Sequence, residues 1–126
     1  MRVLNAVSHG VLDYVVVAFL LAAPTVFDLA WLPALVAYVL AAVHLAVSVC
    51  TRYPLGVFRR IPFGVHGLLE FAVSLLLVAL PWLARFAQDV VARSFYVFLG
   101  IVLFAVWLVT DYGSHKAHAA APPAPR

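Results

Sequence analysis

Apolar residues along this chain fall into four long runs, separated by short stretches that hold most of the charged residues. The runs cover residues 5–23, 29–50, 63–82 and 91–111, and each is close to the ~20 residues that a helix needs to cross the ~30 Å hydrocarbon core of a bilayer. None alternates polar and apolar residues as a barrel strand does, and backbone polar groups in lipid must be satisfied within the segment. The pattern therefore predicts an all-α integral membrane four-helix bundle.

Composition supports lipid as the solvent of this chain. Of its 126 residues, 67% are hydrophobic and 10% are charged, whereas soluble domains are roughly half apolar and a quarter charged. The net charge of +3 comes from eight scattered Lys and Arg residues, which form no basic stripe and argue against a nucleic-acid partner. The single cysteine, Cys50, excludes an intramolecular disulfide and a multi-cysteine metal site.

The second half of the chain repeats the first. His-Gly-Val-Leu-Asp-Tyr at 9–14 aligns with His-Gly-Leu-Leu-Glu-Phe at 66–71, and the second helices end alike, in Thr-Arg-Tyr and Thr-Asp-Tyr. Each half is one helical hairpin, so we assign repeat 1 to about 5–56 and repeat 2 to about 62–112, within one transmembrane domain of residues 1–112. The remaining residues, 113–126, are expected to form a disordered tail because they have little to bury.

Topology follows from the repeat and from the positive charges. Each hairpin has two spans, so both copies have the same orientation and are related by a pseudo-twofold along the membrane normal. One side carries six basic residues and the other carries only Arg85 and Arg93, which predicts cytoplasmic N and C termini. The six are Arg2, Arg52, Arg59, Arg60, Lys116 and Arg126.

Several motifs resemble those of bacterial SPW-repeat membrane proteins. They are the His-Gly-x-Leu-Asp-Tyr opening, Thr-x-Tyr-Pro-Leu-Gly at 51–56, Ile-Pro at 61–62 and the second His-x-x-x-acid motif. The resemblance extends to about Tyr112 and implies a four-helix, two-repeat fold in a bacterial inner membrane, with no particular activity. The Ser-Pro-Trp signature of the family reads Ala-Pro-Thr and Leu-Pro-Trp here, and its prolines, Pro24 and Pro81, are expected to end their helices.

Ionisable side chains within the apolar runs are costly in lipid unless they are paired or hydrated, so each is a functional hypothesis. His9 and Asp13 are four residues apart and share a helix face, and His66 and Glu70 repeat that spacing on the third helix. The pseudo-twofold is expected to bring these faces together toward the cytoplasmic end. Helical bundles hold divalent iron, manganese or zinc with such mixtures of histidine and carboxylate, so these four residues are the predicted metal ligands.

Four further residues are additional candidates: His44, Tyr53, Asp111 and Tyr112. His44 lies at a depth comparable with Asp13 and has Leu103 at the corresponding position of the second copy. Three histidines at one level suit haem or a metal, whereas a lone helix histidine commonly makes one interhelical hydrogen bond. The tyrosines also fit interfacial belts or core packing, and Asp111 lies at the inner boundary, where water can reach it.

Small and hydroxyl side chains recur at matching positions of the two copies. Gly10 and Gly67 follow the two histidines, where a small residue permits close packing or leaves room for a flat cofactor. Thr51 and Thr110 are expected to bond back to carbonyls of their own helices.

Three functions remain open from the sequence. The favoured one is an accessory or structural membrane protein, in which the histidines bond acids on neighbouring helices or the acids pair with Arg52, Arg59 or Arg60. The second is a metal- or haem-binding protein with redox or hydrolytic activity, although no cofactor is required. The third is proton-coupled transport by an oligomer. The bilayer is the expected partner, with a homo-oligomer or a membrane partner protein as further alternatives, and the sequence does not identify the chain as an enzyme.

Overall fold

The computed structural model describes residues 2–113, and these form a bundle of four helices. All four helices are long and apolar enough to cross a membrane, which confirms the predicted fold class and makes the chain a multi-pass membrane protein in a lipid bilayer. The helices are α1 (Ala6–Val26), α2 (Trp31–Cys50), α3 (Phe63–Leu83) and α4 (Val90–Val109). The predicted disordered tail, apart from its first residue, lies outside the described residues.

The first helix of each repeat runs past its proline, so the prediction that Pro24 and Pro81 end their helices was wrong. Pro24 lies within the last turn of α1, which continues to Val26. Asp28 then adopts a left-handed φ of 50°, and the N–H of the next residue, Leu29, donates to the Pro24 carbonyl at 3.0 Å. The second copy has the same turn after α3. This Schellman-type bond, rather than the proline, ends each helix.

Each repeat is a helical hairpin whose two helices pack closely. Helix α1 packs on α2, and α3 packs on α4. Small residues of the second helices allow this approach, as expected where the solvent is lipid. Ala37 and Ala41 are completely buried on α2, and a Cβ on Gly100 of α4 would lie 2.7 Å from the Ser74 carbonyl oxygen of α3.

The two hairpins meet along an apolar core and at one end of the bundle. Within the core, the Tyr96 hydroxyl of α4 donates to the Pro33 carbonyl of α2 at 2.6 Å. At the end where the chain enters α1 and α3, two isolated bridges pair extended residues. They join Leu4 to Thr110 and Thr51 to Ile61. The last residues of α2 and α4 therefore lie beside the entries to α3 and α1.

Candidate histidine and carboxylate site

The four predicted metal ligands converge in one layer near this end of the bundle. The Nε2 atom of His9 lies 3.3 Å from that of His66, 3.4 Å from Asp13 Oδ1 and 3.5 Å from Glu70 Oε2. The Nε2 atom of His66 lies 3.5 Å from Asp13 Oδ2. All four side chains are buried. The spacing of four residues on α1 and on α3 thus places both pairs on the helix faces that meet. We name His9, Asp13, His66 and Glu70 the His/carboxylate cluster.

Each histidine is oriented by a threonine at the end of the other hairpin. The Thr51 hydroxyl donates to the carbonyl four residues earlier in α2, so its oxygen is left to accept the Nδ1–H of His66 at 2.8 Å. Thr110 makes the same helix bond and accepts from His9 Nδ1 at 3.0 Å. A neutral imidazole with its proton on Nδ1 carries a lone pair on Nε2. The hydrogen-bond network therefore points two Nε2 lone pairs at each other.

Each carboxylate is held by a tyrosine of its own repeat, from the segment that follows the second helix. The Tyr53 hydroxyl donates to Asp13 Oδ2 at 2.9 Å, and the Tyr112 hydroxyl donates to Glu70 Oε2 at 2.5 Å. Burial raises the pKa of both hydroxyls above the usual range, and the adjacent carboxylates raise it further. Both tyrosines consequently remain donors at neutral pH.

The glycines that follow the histidines make room for these tyrosine rings. A Cβ on Gly10 would lie 2.8 Å from Tyr53 Cε2, and a Cβ on Gly67 would lie 2.7 Å from Tyr112 Cε1. Real Cβ atoms essentially never approach so closely. The expected close packing is therefore against an aromatic ring, which fills the space that the sequence left open for a flat cofactor.

Aromatic side chains also close the cluster at the end of the bundle. The buried residues Ala6, Tyr53 and Phe63 pack together with Tyr112. The ring of His9 makes edge contacts with Phe63 and Tyr112, at centroid distances of 5.4 and 5.5 Å. This layer separates the cluster from the aqueous end of the bundle.

His44 joins the cluster from α2, at the level that its sequence position predicts. Its Nε2 atom lies 3.5 Å from Asp13 Oδ1, and its ring centroid lies 6.4 Å from that of His66. This Nε2 atom makes no hydrogen bond within residues 2–113, so the single interhelical hydrogen bond expected of a lone histidine is not formed there. Leu103 is buried at the corresponding position of α4.

The remaining sequence candidates lie elsewhere or have other partners. Asp111 is partly exposed and lies 3.7 Å from Arg2. Arg52 and Arg59 donate to loop carbonyls. Among the described residues no arginine forms an ion pair with a carboxylate of the cluster, so the predicted arginine partners are wrong for this part of the chain.

Sequence reasoning predicted that these histidines and carboxylates lie together but missed how they are held. The bonds from Thr51 and Thr110 to their own helices are confirmed, yet each hydroxyl also accepts from a histidine. Tyr53 and Tyr112 were named as additional candidates, and they were also interpreted as belt or packing residues, but their bonds to the carboxylates were not predicted. The recurrence of Thr-x-Tyr at the end of both hairpins was the sequence feature that could have indicated these roles. They were missed because helical periodicity gives no information about side chains that reach back from a loop.

These features define a class of protein: a four-span membrane protein with a buried cluster of histidines and carboxylates between two similar hairpins. Comparisons with protein-family models, curated proteins and solved structures found no match to this chain. The resemblance to SPW-repeat proteins stays a prediction from the motifs.

Proposed function

We propose that this chain is a metal-binding membrane protein whose His/carboxylate cluster holds one divalent cation of the zinc type between its hairpins. The supporting observation is the pair of histidine Nε2 atoms that lie 3.3 Å apart, with carboxylate oxygens 3.4–3.5 Å away. A tetrahedral ion with bonds of ~2.0–2.2 Å separates neighbouring ligand atoms by about 3.3–3.6 Å. The distances from His9 Nε2 to His66 Nε2 and to Glu70 Oε2 match edges of such a coordination shell, and His9, His66 and Glu70 each offer a ligand atom within 4.8 Å of the others.

The charge of the cluster favours the same occupant. Two carboxylates in the apolar part of a membrane protein cost several kcal/mol unless opposite charge or hydrogen bonds compensate them. Within residues 2–113 the cluster carboxylates receive tyrosine donors and no lysine or arginine. A divalent cation balances both carboxylates and uses both histidine lone pairs.

An ion fits this site better than haem does. The cavity beside the cluster is about 60 Å³, whereas pockets for drug-sized molecules measure ~300–1,000 Å³. The rings of Phe63 and Tyr112 pack against His9, and they leave no flat space for a porphyrin beside that imidazole.

Metal content of the purified protein tests the proposal. Protein from a metal-replete culture, in mild detergent or nanodiscs, is expected to carry about one equivalent of zinc, iron or manganese by elemental analysis. His9→Ala and His66→Ala should each lose it. Chelation should lower the melting temperature of the wild type and leave that of the two variants unchanged, because an ion that binds only the folded state stabilises it.

Matched variants exclude binding outside the cluster. Cys50→Ser removes the only thiol, and the double variant His115→Ala/His118→Ala removes the histidines of the tail, so both should keep the full metal content. Wild-type protein that stays metal-free after dialysis against Zn²⁺ would overturn the proposal. Equal metal content in His9→Ala would do so too.

We also propose that the chain lies in the bacterial inner membrane with both termini in the cytoplasm. Four spans place both ends of the described chain on one side. The basic residues Arg2, Arg52, Arg59 and Arg60 flank the end that carries the cluster, whereas Arg85 and Arg93 flank the other end. This bias is typical of a cytoplasmic side.

A further inference from the structure

A cavity opens from the side of the bundle to the His/carboxylate cluster. It measures about 60 Å³ and is lined almost wholly by aliphatic side chains of all four helices. Its lining residues Val43 of α2 and Leu69 of α3 are 54% and 42% exposed on the lipid-facing surface. Since aromatic residues close the end of the bundle, this gap between α2 and α3 connects the cluster directly with the hydrocarbon of the bilayer.

The polar end of the cavity carries two buried atoms that lack hydrogen-bond partners. Polar lining comes from His44, His66 and Glu70. Within residues 2–113, His44 Nε2 and Glu70 Oε1 are the buried side-chain atoms without a hydrogen bond, although the Glu70 side chain is only 2% exposed. Buried polar atoms are normally paired in native proteins. Both atoms are therefore available to a ligand that enters the cavity.

We propose that this cavity binds the head of a straight-chain aliphatic alcohol, which enters from the bilayer and leaves its hydrocarbon chain between α2 and α3. The inference goes beyond the proposed metal site and does not depend on it, because the alcohol would use Glu70 Oε1, whereas the ion would use Oε2. It assigns a substrate class to the cluster: a lipid-soluble molecule with a neutral hydroxyl group.

The hydroxyl group is chosen by what the two unpartnered atoms can accept and donate. His44 Nε2 lies 3.5 Å from an Asp13 oxygen, which favours a proton on that nitrogen. This distance is too long for a good hydrogen bond, so the N–H can donate to a closer acceptor. Glu70 Oε1 is an acceptor. An alcohol both donates and accepts, whereas an ammonium group has no lone pair for His44. A carboxylate head has no proton to donate to Glu70 Oε1.

Cavity size selects the chain. An apolar cavity of ~150 Å³ holds a benzene ring, and this one, at about 60 Å³, is well below that. A narrow hydroxymethyl end fits where a ring does not. The rest of an aliphatic chain would lie against Val43 and Leu69, at the mouth of the cavity.

Photolabelling in nanodiscs tests the proposal. The probe is a straight-chain primary alcohol with a diazirine near its hydroxyl end, compared with the alkane and the carboxylic acid of the same chain length. We expect the alcohol to label the cavity residues Val43, Val47 and Leu69 about fivefold more than the alkane does, the factor for one hydrogen bond. Excess 1-octanol should suppress that labelling, and octane should not.

Two pairs of variants make the result specific. His44→Leu copies the residue at the corresponding position of α4 and should lower the alcohol labelling toward the alkane level, because only the bond to Glu70 is left. Val43→Phe should block the mouth, whereas Val102→Phe, at the corresponding position of α4, should leave labelling unchanged. Equal labelling by alcohol and alkane, as expected of a cavity that holds only water, would overturn the proposal. So would undiminished labelling in folded His44→Leu or Val43→Phe.

The alcohol site and the metal site can be overturned independently of each other. The Tyr112 hydroxyl donates to Glu70 Oε2 and leaves Oε1 without a hydrogen bond, so we expect the same enrichment in metal-loaded and chelated samples. Elemental analysis of the same samples reports the metal site. A metal-free protein with selective alcohol labelling would overturn the proposed metal function alone, and a metal-loaded protein without selective labelling would overturn the alcohol site alone.

Discussion

At the scale of single residues, the two glycines after the histidines matter because they admit the tyrosine rings that hold the carboxylates. Gly10→Ala or Gly67→Ala should displace the ring of Tyr53 or Tyr112 and lower the free energy of unfolding by about 1–3 kcal/mol, as overpacking usually does. Gly64→Ala in α3 is the matched control, because a Cβ there meets nothing within 4 Å. Reversible unfolding in mixed micelles measures the free energy of unfolding of all three variants. A Gly10→Ala protein as stable as the control would show that the ring contact is not tight.

The same tyrosines predict a pH dependence at alkaline pH. Burial raises the pKa of Tyr53 and Tyr112 in the folded protein, whereas unfolded tyrosine titrates near pH ~10. A raised folded pKa gives stability that is complete below the unfolded pKa and is lost as pH rises above it. Stability should therefore fall above pH ~10, and less steeply in Tyr53→Phe and Tyr112→Phe. A wild type and variants with parallel profiles would contradict this origin.

At the scale of helices and loops, the sequence predicted the four spans and the repeat because each rests on long-range periodicity. It ended the first span at residue 23, whereas α1 continues to Val26, because the turn at Asp28 depends on a left-handed residue that no local motif announced. It placed the end of α3 to within one residue. It also missed the hydrogen bonds that hold the cluster from the opposite hairpin. Thr51 and Thr110 each serve the histidine of the other hairpin, a contact fixed by tertiary packing.

From these hydrogen bonds between threonine and histidine we predict an effect on the affinity of the proposed metal site. Thr51→Val removes the acceptor for His66 Nδ1 with little change in side-chain shape, so the imidazole loses its fixed orientation and tautomer. Loss of such a partner typically weakens metal binding about 10–100-fold. Thr51→Ser keeps the hydroxyl and should retain most of the affinity. Competition with a chromophoric chelator measures both, and an affinity in Thr51→Val equal to that in Thr51→Ser would contradict the orienting role.

At the scale of the whole molecule, the orientation of the bundle in the membrane decides which compartment lies next to the end that carries the cluster. The charge bias predicts that the end with Arg52 and Arg59 faces the cytoplasm. Alkaline phosphatase fused after residue 113 in a bacterial host should therefore be inactive, and the same enzyme inserted at Arg85, between α3 and α4, should be active because it is exported. Green fluorescent protein at the two sites should give the opposite pattern. Exchanging the basic residues for glutamine at 52, 59 and 60 should weaken the bias, whereas exchange at 85 and 93 should strengthen it. An active phosphatase after residue 113 would place the cluster at the outer face instead.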